Sequence, residues 1–166
     1  MSIAVKKIIV SLFLLAALLI GLKITLAKAP TDEELIVAAL HDAIKASREG
    51  RPGGVLEYLA EPFKINDTIP GTKLTIGQFV RDARPKITID REVPVVNGDL
   101  ATLESPASAD FTYLGNKQNM QFKNVSIEFR KRHTTRFGVI PVTDWEIYEV
   151  KVPQEDFGIL NMGLWN

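Results

Sequence analysis

Arg91, Asp110 and Tyr113 are the residues of this 166-residue chain best suited by type and position to do chemistry. A carboxylate, a phenol and a guanidinium brought together could move a proton and hold an anion. Each meets its strand pattern differently. Ile87, Ile89 and Val93 alternate along one face, and Arg91 breaks that row. Asp110 is out of phase with Ala107, Ala109, Phe111 and Tyr113, so it is expected to face solvent unless a bulge shifts the register. Other carboxylates follow the solvent face as well. Glu128 is out of phase with Val125, Ile127 and Phe129, and Asp144 and Glu146 are out of phase with Trp145 and Ile147. Glu128 or Glu146 paired with Arg130 is then a modest cross-strand surface contact. No buried general base is visible, so no residue is assigned as catalytic.

Other chemistries find less support. His41 and His133 have no ligand-spaced neighbours, so no metal site is expected. The stretch GRPGG lacks the Lys-Ser/Thr ending of a phosphate loop. No nucleophile-elbow motif supports a serine triad. Cysteine is absent, which excludes disulfides, thiolate metal sites, cysteine catalysis and a lipid anchor on cysteine. No cofactor is expected.

The elements that must position these residues change period along the chain. Thr31-Asp-Glu-Glu34 is a capped helix start, and Leu35, Ile36, Ala39, Leu40, Ala43, Ile44 and Ser47 form one apolar stripe at helical spacing. His41 lies off the stripe and is expected to be exposed. The helix should end near Arg48, before Gly50 and Pro52. Val55–Leu59 reads as a short second helix ended by Pro62, Phe63–Ile65 as a brief extended piece, and Thr75 as the cap of a third helix stopped by Pro85. From there the period is two. Asn97-Gly98 signals a hairpin, Pro106 marks a bulge or an edge, and Gly115-Asn116 turns the chain. Long strands are expected over Met120–Arg132 and Val142–Val152, with a turn over His133–Gly138. The short connections make the strands antiparallel.

Three helices followed by an antiparallel meander is an α+β layout. The element order, the helix break at GRPGGVLEYL followed by EPFKI, and the long final strands resemble the nuclear-transport-factor-2-like superfamily, which includes ketosteroid-isomerase-like and SnoaL-like domains. The resemblance covers about residues 31–153. It implies a cone of three helices packed on a curved antiparallel sheet. That fold hosts isomerases, dehydratases, transport adaptors and membrane-complex subunits, so it does not fix an activity.

Residues 1–29 are read as a cytoplasmic stub and a single transmembrane helix, 30–153 as the domain, and 154–166 as an apolar tail. Ile8–Leu22 carries no charge. It includes Ile8, Leu12, Phe13, Leu15 and Leu19, and it covers roughly 22 Å as a helix; continuing to Ala27 reaches the ~30 Å hydrocarbon core. Lys23 near its end can snorkel to the headgroups. Lys6 and Lys7 orient the N-terminus to the cytoplasm and place the domain on the periplasmic side of a bacterial inner membrane. A cleaved signal peptide is the competing reading, since Ala27-Lys28-Ala29 suits a peptidase. Pro30, just after that cut, fits a protease cleft badly and favours the anchor. Beyond residue 29 the chain holds 16 basic and 20 acidic residues, a net charge of −4 that disfavours nucleic acid.

Two surface features are candidates for partner contact. Arg130, Lys131, Arg132 and Arg136 make a basic hairpin tip. Phe157, Leu160, Leu164 and Trp165 belong to a tail that either folds back over the cone or docks on a partner. The expected function is a non-catalytic, membrane-anchored accessory or assembly subunit of a larger membrane complex, possibly energy-transducing. The alternatives are a freely secreted form of the same domain, and a small-molecule-binding protein or isomerase/dehydratase-like enzyme using the cone.

Overall fold

The computed structural model describes residues 29–69, 72–113, 115–136 and 140–153. Contacts divide the chain into Met1–Thr31 and Asp32–Asn166. Among the described residues, three helices and six strands all lie in the second unit. The expected membrane segment and the tail fall outside the described residues. Among those described, no helix is long and apolar enough to cross a membrane.

Helix α1 spans Asp32–Arg48 and buries Ile36, Ala39, Leu40, Ala43 and Ser47, which is the stripe that helical spacing sets on one face. Ala46 is buried as well. The helix closes with Arg51 N–H bonded to the Ala46 carbonyl and Gly50 N–H to that of Ser47. This paired closure needs a left-handed residue, and Gly50 supplies it at φ 65°.

Helix α2 is Pro52–Leu56, one turn earlier than the expected Val55–Leu59. Pro52 opens it because a first-turn residue needs no N–H bond. Leu59 belongs instead to strand β1, Leu59–Ile65. Helix α3 spans Lys73–Ala83, and its cap is Thr72, whose hydroxyl accepts from Thr75 N–H at 3.3 Å. Thr75 was the expected cap, but the helix starts before it. Arg84 ends α3 in the left-handed region, ahead of Pro85.

The remaining strands are β2 (Lys86–Ile89), β3 (Val95–Asn97), β4 (Leu100–Tyr113), β5 (Asn116–Arg136) and β6 (Ile140–Lys151). The sheet order is β1-β6-β5-β4-β2, with β3 also pairing β4. The expected all-antiparallel sheet is corrected at one edge, where β1 pairs β6 in parallel. Most of the domain separates these two strands, so the short-connection argument does not reach them. Strand β5 also runs through His133–Arg136, where a turn was expected. Gly98, at φ 63°, is the first residue of the tight loop between the Asn97↔Leu100 pair.

Two bulges in the antiparallel ladders bend the curved mixed sheet. Opposite Ser105–Ala107 of β4, strand β5 runs from Val125 to Phe122, one residue more than its partner. Opposite Glu128–Phe129 of β5, strand β6 runs from Glu149 to Ile147, again one more. Each extra residue switches which parity faces inward. The core cluster therefore takes Val125, Ile127 and Phe129 but also Phe122, and Trp145 and Ile147 but also Val150 and Val152.

Candidate functional site

The parity switches gather apolar side chains from every layer around one cavity of about 320 Å³. Helix α1 contributes Leu40, Ala43 and Ile44; α3 contributes Ile76, Phe79 and Val80. Strands β4 and β5 supply Ala109, Phe111, Met120 and Phe122, while Phe63 of β1, Val150 near the end of β6 and Val152 just after it complete one side. Phe79 meets Phe111 edge-on, with ring centroids 5.4 Å apart.

No carboxylate, histidine, lysine, arginine or tyrosine is among the described lining residues. The hydroxyl-bearing ones are Ser47 and Ser108. Ser47 Oγ already donates to the Pro85 carbonyl at 3.0 Å. The cavity can exclude water and hold an apolar group. Its described lining offers no ionisable group to move a proton.

The three residues singled out for chemistry do not meet there. Arg91 is exposed in the loop after β2, where its backbone N–H donates to Ser105 Oγ at 2.8 Å. Asp110 is exposed on β4 and accepts from Asn119 of β5. Tyr113 packs against Phe79 with centroids 5.9 Å apart.

The expected basic tip is corrected: Arg130, Lys131 and Arg132 lie within β5, opposite Glu146, Trp145 and Asp144 of β6, and carboxylates engage all three side chains. Arg130 Nε donates to Glu146 at 2.6 Å, and Arg132 reaches Glu146 at 3.4 Å. Lys131 donates to Asp32 at 3.0 Å and lies 5.1 Å from the Trp145 ring centroid. Arg136 ends β5. Glu146 was expected on an open surface, yet only 6% of it is exposed. Its strand phase does point away from the core, but the two arginines bond to it there. His41 is exposed as expected and bonds Glu92 at 2.6 Å.

Sequence reasoning missed a polar cluster at the β5–β6 bulge. Glu128 accepts from the Tyr148 hydroxyl and from Lys151. Glu149, nearly buried beside them, accepts from Asp67 N–H at 2.7 Å. Burial pushes the Glu128 carboxyl up, but the bonds from Lys151 and Tyr148 outweigh it and leave it below its ordinary value. The same bond, reinforced by burial, pushes the Tyr148 phenol up to about 12. The signal for this cluster was the parity change from Trp145-Ile147 to Val150-Val152, which forces Tyr148 and Glu149 together into the bulge.

No protein-family model and no curated protein matches the chain. Solved structures do match it. An NTF2-like protein of unknown function in nutrient uptake from Rhodospirillum rubrum has a TM-score of 0.56 at 14% identity, covering 70% of this chain and 95% of its own. An NTF2-like superfamily protein from Salmonella enterica has a TM-score of 0.53 at 14% identity, covering 73% and 89%. The CaMKII hub of S. rosetta has a TM-score of 0.53 at 12% identity, covering 75% and 98%. At such identities the likeness concerns the fold alone. The described α+β domain therefore has the nuclear-transport-factor-2-like fold.

Proposed function

We propose that the chain is a non-catalytic accessory or assembly subunit of a larger membrane complex, held by residues 1–29 in a bacterial cytoplasmic membrane with its domain on the extracytoplasmic side. The observation that carries the non-catalytic reading is the cone itself. Acid–base chemistry needs a titratable group within hydrogen-bond reach of the substrate, and the described lining offers none. The tether rests on the uncharged run Ile8–Leu22 behind Lys6 and Lys7. Partner contact is assigned to the domain surface. On the sheet face away from the core, Val95 and Leu100 belong to the first and third pairs of the β3–β4 ladder and are 72% and 53% exposed. Exposed apolar side chains sharing one sheet face favour an interaction site.

The test is fractionation of membranes washed in alkaline carbonate, with N-terminal sequencing of the chain. Sedimentation of a chain retaining residues 1–29 supports the tether. A soluble chain beginning at Pro30 overturns it.

A second reading, favoured by the volume and apolar lining of the cavity, is a carrier for an apolar small molecule. Cavities of this size hold such ligands when dry and unpolarised. Native mass spectrometry of the purified chain tests it. A reproducible adduct lost on organic extraction supports a carrier, and a bare chain mass counts against one.

A further inference from the structure

We propose that the cone takes a single-chain amphiphile, burying a hydrocarbon tail that carries no polar atom and leaving the polar end outside. This inference rests on the carrier reading above and narrows its ligand to one chemical class.

Among the described lining residues, no side chain has a hydrogen bond to offer a ligand. Ser47 Oγ already donates to the Pro85 carbonyl at 3.0 Å. Ser108 falls between Ala107 and Ala109 on β4, so alternation turns its hydroxyl toward the other sheet face. Met120 brings a thioether, a weak acceptor with no proton to give. A polar atom carried into this space loses its water and finds no partner among these groups. Leaving one such group unsatisfied weakens binding by roughly ten- to hundredfold. The part of the ligand that enters the cone is therefore hydrocarbon throughout.

The direction of the lining favours a chain over a ring system. Met120, Phe122, Val125 and Ile127 border the cavity along β5. With one bulge, that run is about 20 Å long at ~3.3 Å per residue. Ile76, Phe79 and Val80 border it along α3. A chain laid along the strand touches this lining over its whole length, whereas a compact ring system leaves part of it without partner atoms.

The space is large enough. An apolar cavity of about 150 Å³ stays dry and admits benzene. The cone offers about 320 Å³, room for a longer hydrocarbon.

The test compares two probes that differ only at the buried end. The full chain is reconstituted in phosphatidylcholine nanodiscs and irradiated with dodecanol carrying a mid-chain diazirine, or with the α,ω-dodecanediol carrying the same group. Mass spectrometry quantifies labelling of the peptides spanning Met120 to Ile127, against the free aqueous concentration of each probe. Dodecanol should half-saturate these peptides at a concentration at least about tenfold lower than the diol, because the diol must bury its second hydroxyl. Met120→Gln, which gives the cavity an amide, should narrow that gap. Met120 is only half-buried, so the substitution is placed where folding tolerates it best; if the variant does not fold, the comparison on the parent chain decides. A phospholipid with the diazirine in one acyl chain is the second arm. Labelling of the same peptides by that lipid assigns the tail to a membrane lipid, and labelling by dodecanol alone assigns it to a free amphiphile. Equal half-saturation by alcohol and diol would overturn the proposal and leave the carrier reading standing. So would labelling by diazirine-bearing dodecane with none by the alcohol. No labelling by any of these probes would overturn both.

Discussion

Trp145 Nε1 donates to the Asp32 carboxylate at 3.1 Å, so the last strand is tied to the first residue of α1. Lys131 on the neighbouring strand donates to the same carboxylate. This junction fixes one end of α1 against the sheet that forms the cone. The Lys131 bond, aided by the Trp145 bond, holds the Asp32 carboxyl below its ordinary value. Its contribution to stability is therefore present above the unfolded-state value near 3.8 and is lost as pH falls through the folded-state value.

Asp32→Asn should lower unfolding stability by about 1 kcal/mol at neutral pH, a modest figure because the side chain is partly solvated. The difference from the parent should shrink in acid, as the parent's Asp32 protonates. Urea unfolding of both chains across the acid range checks this. An undiminished gap at the lowest pH would contradict the charge-based account.

Tyr148 gives a second pH signature. Its folded pKa, about 12, lies above the ordinary phenol value of 10. A raised folded value means the contribution is complete below pH 10 and fades as pH climbs through the folded value. Spectroscopic titration of tyrosine absorbance should show one late phenol, and Glu128→Gln should return it toward the ordinary range. A late phenol unchanged in Glu128→Gln would rule out the bond to Glu128 as its main cause.

Gly54 brings α2 close against α1, since a Cβ there would lie 2.8 Å from the Ala46 Cβ. Gly54→Ala normally stabilises a helix, yet here it should destabilise by about 1–3 kcal/mol through overpacking. Gly53→Ala is the control, because nothing lies within 4 Å of its Cβ position. Thermal unfolding should separate the two variants. Equal melting temperatures would mean α1 and α2 do not pack this closely.

Glu146 joins two cations while Arg132 is only partly satisfied, with its Nε lacking a partner among the described residues. Removing the shared acceptor leaves Arg130 without this bond and Arg132 with a longer contact to Asp144. Glu146→Ala should therefore cost about 1–3 kcal/mol, more than Arg132→Ala. The reverse order in chemical denaturation would show that Arg132 is the organising group.

Much of this fold was readable because its signals are local. The α1 stripe, the Gly50 stop, the Gly98 loop and the Pro106 irregularity each depend on a few adjacent residues. The parallel β1–β6 edge was not readable, because no neighbouring residue encodes which distant strand covers Leu59–Ile65. The cavity was half readable. Ala107, Ala109 and Phe111 follow an unbroken alternation, but Met120 and Phe122 enter only because Lys123-Asn124 carries an extra residue that reverses the parity. Glu146 shows the limit of phase arguments. Alternation gives the face a side chain points to, and the arginines bonded to it there decide whether that face is wet.

The most direct test of the proposed role is detergent extraction of the chain from its native membrane at natural abundance, followed by identification of what purifies with it. An accessory subunit should emerge with residues 1–29 intact and with companion proteins at fixed stoichiometry. A lone monomer without companions would contradict the proposed role.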